Sequence, residues 1–234
     1  MEILAKIAEA FRHGGFWMWP ILSFQLVSIA IIIDRVLALF RNRKPNQAEF
    51  VNQFESDIKR GEIDQVISRA ETQSKDNALA KVVVAGARVA KNFGGKDEIQ
   101  GKMDEVLLHE NSKLDKRVGY LAMLGNVATL TGLLGTIAGM IKSFAAVSMA
   151  SAGEKATILS AGISEAMNCT AFGLIVAIPA LVAYAVLQNR ANAISEDLNQ
   201  SALKVFNWLS YSFDPVTAKP MMRNTSTSSR ELNA

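Results

Sequence analysis

Three long stretches of this chain carry almost no charge, and they restrict its fold more than any other feature. They run over about residues 16–33, 118–150 and 166–187. Lipid offers no water to a backbone N–H or C=O, so a segment crossing it must satisfy those groups internally, as a helix does. Eighteen residues at about 1.5 Å each cover roughly 27 Å, close to the thickness of a bilayer core. Trp17 and Trp19 suit one interface of the first stretch, and Asp34, Arg35, Arg41, Arg43 and Lys44 mark the other. Half of all residues are hydrophobic and the mean hydropathy is +0.16. The chain is therefore predicted to be an all-α membrane protein with three transmembrane helices and long cytoplasmic helical extensions.

The rest divides around those spans. Residues 1–15 place Ile3, Leu4, Ile7, Ala8 and Phe11 on one helical face, which predicts an amphipathic helix at a membrane surface. They have no basic region followed by a continuous apolar core, so no signal peptide is expected. Residues 16–34 form the first span. Residues 35–117 are polar, with helical periodicity in Phe50, Val51, Phe54 and Ile58 and again in Leu79, Val82, Val83 and Gly86; nothing there alternates like a strand. Asn92-Phe93-Gly94-Gly95 is its clearest break. Residues 118–150 form the second span, 151–187 an outer turn and the third span, 188–213 a helical extension. Residues 214–234 open with Asp214-Pro215, are rich in Ser, Thr and Asn, and are expected to be disordered. Basic residues crowd the central segment and the tail and are scarce in residues 1–15 and in the hairpin link. The positive-inside rule then puts the N-terminus outside, the large loop inside, the link outside and the C-terminus inside.

Several classes are disfavoured. The pI near 9.0 reflects basic residues interleaved with acids, with no Lys/Arg run carrying aromatics, so nucleic acid is not an expected partner. The single cysteine, Cys169, allows no internal disulfide and reads as a small buried hydrophobe. No Walker loop, HExxH, CxxC or serine elbow occurs, and His13 and His109 are isolated, so neither enzyme, metal nor cofactor is expected.

The residues left to carry chemistry lie inside the spans. Gly125, Thr129, Gly132, Thr136, Gly139 and Ser143 recur every three or four residues on one face, and Ala166, Thr170, Gly173, Ala177 and Ala180 do the same in the third span. On residue types alone helix packing is the favoured reading of both stripes. It is compatible with pore lining if several copies surround an axis. Glu165 sits where the third span enters the membrane, with Asn168 one turn on. A carboxylate there lines water or meets a partner, the alternative being a side chain that snorkels to the headgroups. Lys142 is expected to snorkel.

Gly132-Leu133-Leu134-Gly135-Thr136-Ile137-Ala138-Gly139 resembles the second-helix motif of the ExbB/TolQ/MotA proton-channel family. Gly162-Ile163-Ser164-Glu165-Ala166, with Thr170-Ala171-Phe172-Gly173-Leu174 and Ala177-Ile178-Pro179-Ala180, is similar to its third-helix motif. Asp34-Arg35 is similar to the acidic-Arg pair that ends the first helix. Asn168-Cys169 departs from the better-known members, which carry apolar or small residues there. Three spans favour the ExbB/TolQ branch over the flagellar one, which usually has four. The resemblance implies a homopentamer in the bacterial inner membrane, its second and third helices around a central pore. It implies a dimer of single-span ExbD/TolR-like partners inside, each supplying a membrane Asp. It implies a proton pathway at Thr136, Thr170 and Glu165, with Thr129, Gly132, Gly139, Ser143, Asn168, Gly173 and Ala177 lining the pore. The alternative is a non-conducting membrane scaffold assembling through its small-residue faces, and a third reading is a small-solute channel without a rotor partner.

Overall fold

The computed structural model describes residues 15–41, 47–74, 77–92 and 94–213. The expected surface helix over 1–14, Phe93 of the expected break and the tail 214–234 lie outside the described residues. Every element among the described residues is helical. In chain order they are α1 (Met18–Val36), a π-helical turn (Leu37–Arg41), α2 (Gln47–Lys59), α3 (Ile63–Gln73), α4 (Ala78–Lys91), α5 (Lys96–Asp115), α6 (Val118–Met149) and α7 (Lys155–Phe213).

Among the described residues, three helical segments are long and apolar enough to cross a membrane: Met18–Phe40, Lys96–Met149 and Lys155–Tyr211. Each keeps large apolar side chains exposed, among them Leu26, Ile33, Leu130, Ile141, Ile175 and Val182. In water such a surface is a liability; facing acyl chains it is the expected one. Pro20 falls in the first turn of α1, where its missing N–H costs no helical hydrogen bond. Pro179 lies in the interior of α7 and leaves one turn without its bond.

The chain divides into two compact units. The first comprises Met1–Ala48 and Leu107–Gln200 and contains the apolar spans. One of its clusters joins Leu39, Leu114, Val118, Leu121, Leu187 and Ala191; another joins Ile21, Ala128 and Val176. A polar belt crosses it. Arg35, only 8% exposed, gives Nε and Nη2 to Asp34 Oδ2 at 3.0 and 2.8 Å and reaches the Lys113 carbonyl at 3.4 Å. Arg117 Nη1 meets the same Asp34 oxygen at 3.3 Å, and Gln188 donates to Asp115 at 3.3 Å. At the start of α2 the Gln47 N–H donates to Asp197 Oδ2 at 3.1 Å, so a carboxylate from α7 satisfies a free helix-start donor.

The second unit comprises Glu49–Val106 and Ser201–Ala234. Its core gathers Val51, Phe54 and Ile58 of α2, Val66 of α3, nine buried residues of α4 and Leu209 of α7. Asn77 caps α4, its side-chain oxygen accepting from Leu79 N at 2.9 Å. The buried carboxylate of Asp57 is paired with Arg69 at 2.6 Å.

Candidate functional site

The glycine stripes bring α6 and α7 into backbone contact. A Cβ placed on Gly132 would stand 2.9 Å from the Cys169 carbonyl oxygen, and one on Gly173 would stand 2.8 Å from that of Ala128. Gly139 faces Ala166, Gly125 faces Leu181 and the Ala177 carbonyl, and Ser143 Oγ fills the space that a side chain on Gly162 would need. Gly132, Gly139, Ser143, Gly173 and Ala177 are all buried. These five therefore serve packing between two helices of one chain, the function that small residues perform in membranes. Gly135 meets Cys169 and the Trp17 side chain, so the start of α1 closes on the same contact.

The close approach has a chemical consequence at the hydroxyls. Thr129 donates to the Gly125 carbonyl at 3.1 Å and Ser143 to that of Gly139 at 2.8 Å, each one turn back on its own helix. Thr136 does more. Its Oγ1 lies 3.1 Å from the Gly132 carbonyl, 3.1 Å from the Ala166 carbonyl on α7, and in direct hydrogen-bond contact with Thr170 Oγ1. Thr170 Oγ1 also reaches the Gly132 carbonyl at 3.4 Å. Two hydroxyl protons thus face two carbonyls and each other. The pair can run in either direction: Thr170 donates to Thr136, which donates to a carbonyl, or Thr136 donates to Thr170, which donates to Gly132. Both threonines are half-buried, so one side of the pair stays open.

Glu165 is half-buried and not hydrogen-bonded to that pair among the described residues. Its carboxylate lies against Gly15, where it occupies the space of a Cβ; Gly15 also holds φ +69°, a conformation that favours glycine. Asn168 and Thr129 are half-buried. Lys142 is exposed near the end of α6. In the link, Glu154 accepts from Ser151 Oγ at 2.6 Å and Ser151 N at 3.4 Å, and these hydrogen bonds hold its carboxyl below the usual range. Sequence spacing put Thr129, Thr136 and Thr170 on small-residue faces, and the family resemblance singled out Thr136 and Thr170. Spacing gave no sign of the Gly15–Glu165 contact or of the pairing of Gly162 with Ser143, because neither partner lies near the other in the chain.

The description of the MotA/TolQ/ExbB proton channel family matches residues 71–200. The chain is similar to the Tol-Pal system protein TolQ of Haemophilus influenzae, 40% identical over 97 residues, which are 41% of this chain and 41% of that protein. It is similar to the biopolymer transport protein ExbB of Pseudomonas putida, 28% identical over 66% of this chain and 51% of that protein. A putative ExbB-like protein of Synechocystis is 29% identical over 72% of this chain and 79% of its own length. The chain thus spans about half, or less, of the length of the first two. The matched residues hold the whole α6–α7 contact and the Thr136–Thr170 pair, and they make up more than half of the sequence. The chain belongs to the MotA/TolQ/ExbB proton channel family.

Proposed function

We propose that this chain is the ring-forming, proton-conducting subunit of a motor in the bacterial inner membrane, driven by the proton-motive force and energising a cell-envelope process. In this reading five copies surround a pore, and two ExbD/TolR-like single-span partners stand inside, each with one membrane Asp. The central segment 35–117 and the extension 188–213 lie in the cytoplasm and the 151–154 turn outside. The observation that carries the proposal is the hydroxyl pair of Thr136 and Thr170, reversible in direction and open on one side.

The chemistry follows from that pair. A carboxyl group held in a membrane has a raised pKa and changes charge when it exchanges a proton. A hydroxyl donates to its charged form and accepts from its neutral one, so a pair that reverses direction serves both states. A membrane potential of 100 mV supplies about 2.3 kcal/mol per proton crossing it. Protonation from outside and release inside then bias the partner helices against the ring. Glu165, lying near the start of α1, would act at the outer mouth, with Thr129 and Asn168 along the lining.

The glycine packing also fits a second reading, a scaffold that conducts nothing. That reading needs small-residue faces to join copies, whereas here they join α6 to α7. Thr136→Val and Thr170→Val separate the two. A hydrogen bond to a charged group contributes about 1.5–3 kcal/mol. Each variant should therefore lower partner-dependent proton flux in vesicles about ten- to hundredfold while complex assembly persists, and Thr136→Ser should retain most of it. Undiminished flux in both valine variants would remove the pair from the pathway and favour the scaffold.

A further inference from the structure

Away from the α6–α7 contact, α1 and α7 enclose a shallow groove of about 450 Å³ whose walls are wholly apolar. Val36 and Phe40 form one side, and Pro179, Val182, Ala183 and Val186 the other. Phe40 ends the first apolar span, so this end of the groove lies where hydrocarbon gives way to headgroups. Arg190 stands there, one turn beyond Val186, with Cζ 5.5 Å above the Phe40 ring centroid. Its Nε is buried and donates to nothing, and among the described residues no carboxylate pairs with it. Asp34 is engaged by Arg35 and Arg117, and Asp115 by Gln188.

A half-buried guanidinium with no carboxylate partner among the described residues, at the edge of a membrane and at the mouth of an apolar groove, matches one ligand in both parts. We infer that this groove is a specific site for an anionic phospholipid. One acyl chain lies along Pro179, Val182 and Val186, and the phosphate meets the Arg190 guanidinium, which presents a planar fork of donors to it. The ring of Phe40 holds the guanidinium in place from below. The site is independent of the proton pathway, since it lies on neither threonine.

The test uses the full chain purified in detergent, with bound lipid read by native mass spectrometry. Phosphatidylglycerol and phosphatidylcholine of identical acyl chains are offered in competition. One surface-proximal cation favours an anionic lipid by about 1 kcal/mol, so phosphatidylglycerol should be retained about fivefold better. Arg190→Gln should abolish the preference and Arg190→Lys should keep most of it. Ala183→Trp, which fills the groove, should lose both lipids. Equal retention of the two lipids by the unaltered chain would overturn the inference, and that arm requires no variant to fold. So would a preference that survives Arg190→Gln, or displacement of the lipid by glycerol phosphate alone, which would mark an anion site that makes no use of the groove.

Discussion

Thr136 and Thr129 stand seven residues apart on one face of α6, yet only Thr136 reaches across to α7. Spacing alone could not separate them; the separation comes from Gly132, whose lack of a side chain lets α7 approach where Thr136 projects. Gly132→Ala puts a Cβ against backbone and should cost about 1–3 kcal/mol of stability. Gly119→Ala, with nothing within 4 Å of the new atom, should be neutral or slightly stabilising. Thermal unfolding of the two variants in the same detergent reads the difference. In the second unit, Arg69→Ala leaves the buried Asp57 carboxylate without its ion pair and should cost about 1–3 kcal/mol in the same measurement. Neither Gly15 against Glu165 nor Arg190 over Phe40 was legible in the sequence, because each is defined by a neighbour far along the chain.

Among the elements, the three apolar spans and the all-helical class were legible, since a run of uncharged residues leaves the backbone few other choices. The junction between α5 and α6 was not. It turns at Arg117, a non-glycine residue at φ 65°, without the glycine or proline that normally announces such a turn. Its ion pair with Asp34 anchors the side chain there. Arg117→Val should destabilise the junction by about 1–2 kcal/mol, because a β-branched residue tolerates that conformation poorly and the ion pair is lost. The same unfolding assay checks it. The link between α6 and α7 carries a pH dependence. The Glu154 pKa is lowered by the Ser151 hydrogen bonds, so their contribution is present above the ordinary carboxylate range and is lost as pH falls through the lowered value. Amide protection at Ser151–Lys155, taken relative to the intrinsic exchange rate at each pH, should fall on acidification, and Glu154→Gln should remove that response.

At the scale of the molecule, the first unit uses its small residues to hold α6 and α7 together and leaves large apolar side chains facing outward. The sequence showed the stripes and could not say whether they packed or lined, since glycine serves both. The structure places the glycines, Ser143 and Ala177 in the packing and leaves the two paired threonines half-open. What the account requires is that water reaches that open side in the assembled membrane complex. Thiol reactivity measures this directly. With Cys169 replaced by Ala, Thr136→Cys and Thr170→Cys should react with a membrane-impermeant thiol reagent far faster than Ile137→Cys and Ile175→Cys, although those isoleucines are the more exposed positions on the single chain. If the threonine positions react no faster than the isoleucine positions, the pair faces a dry interior and the ion path runs elsewhere.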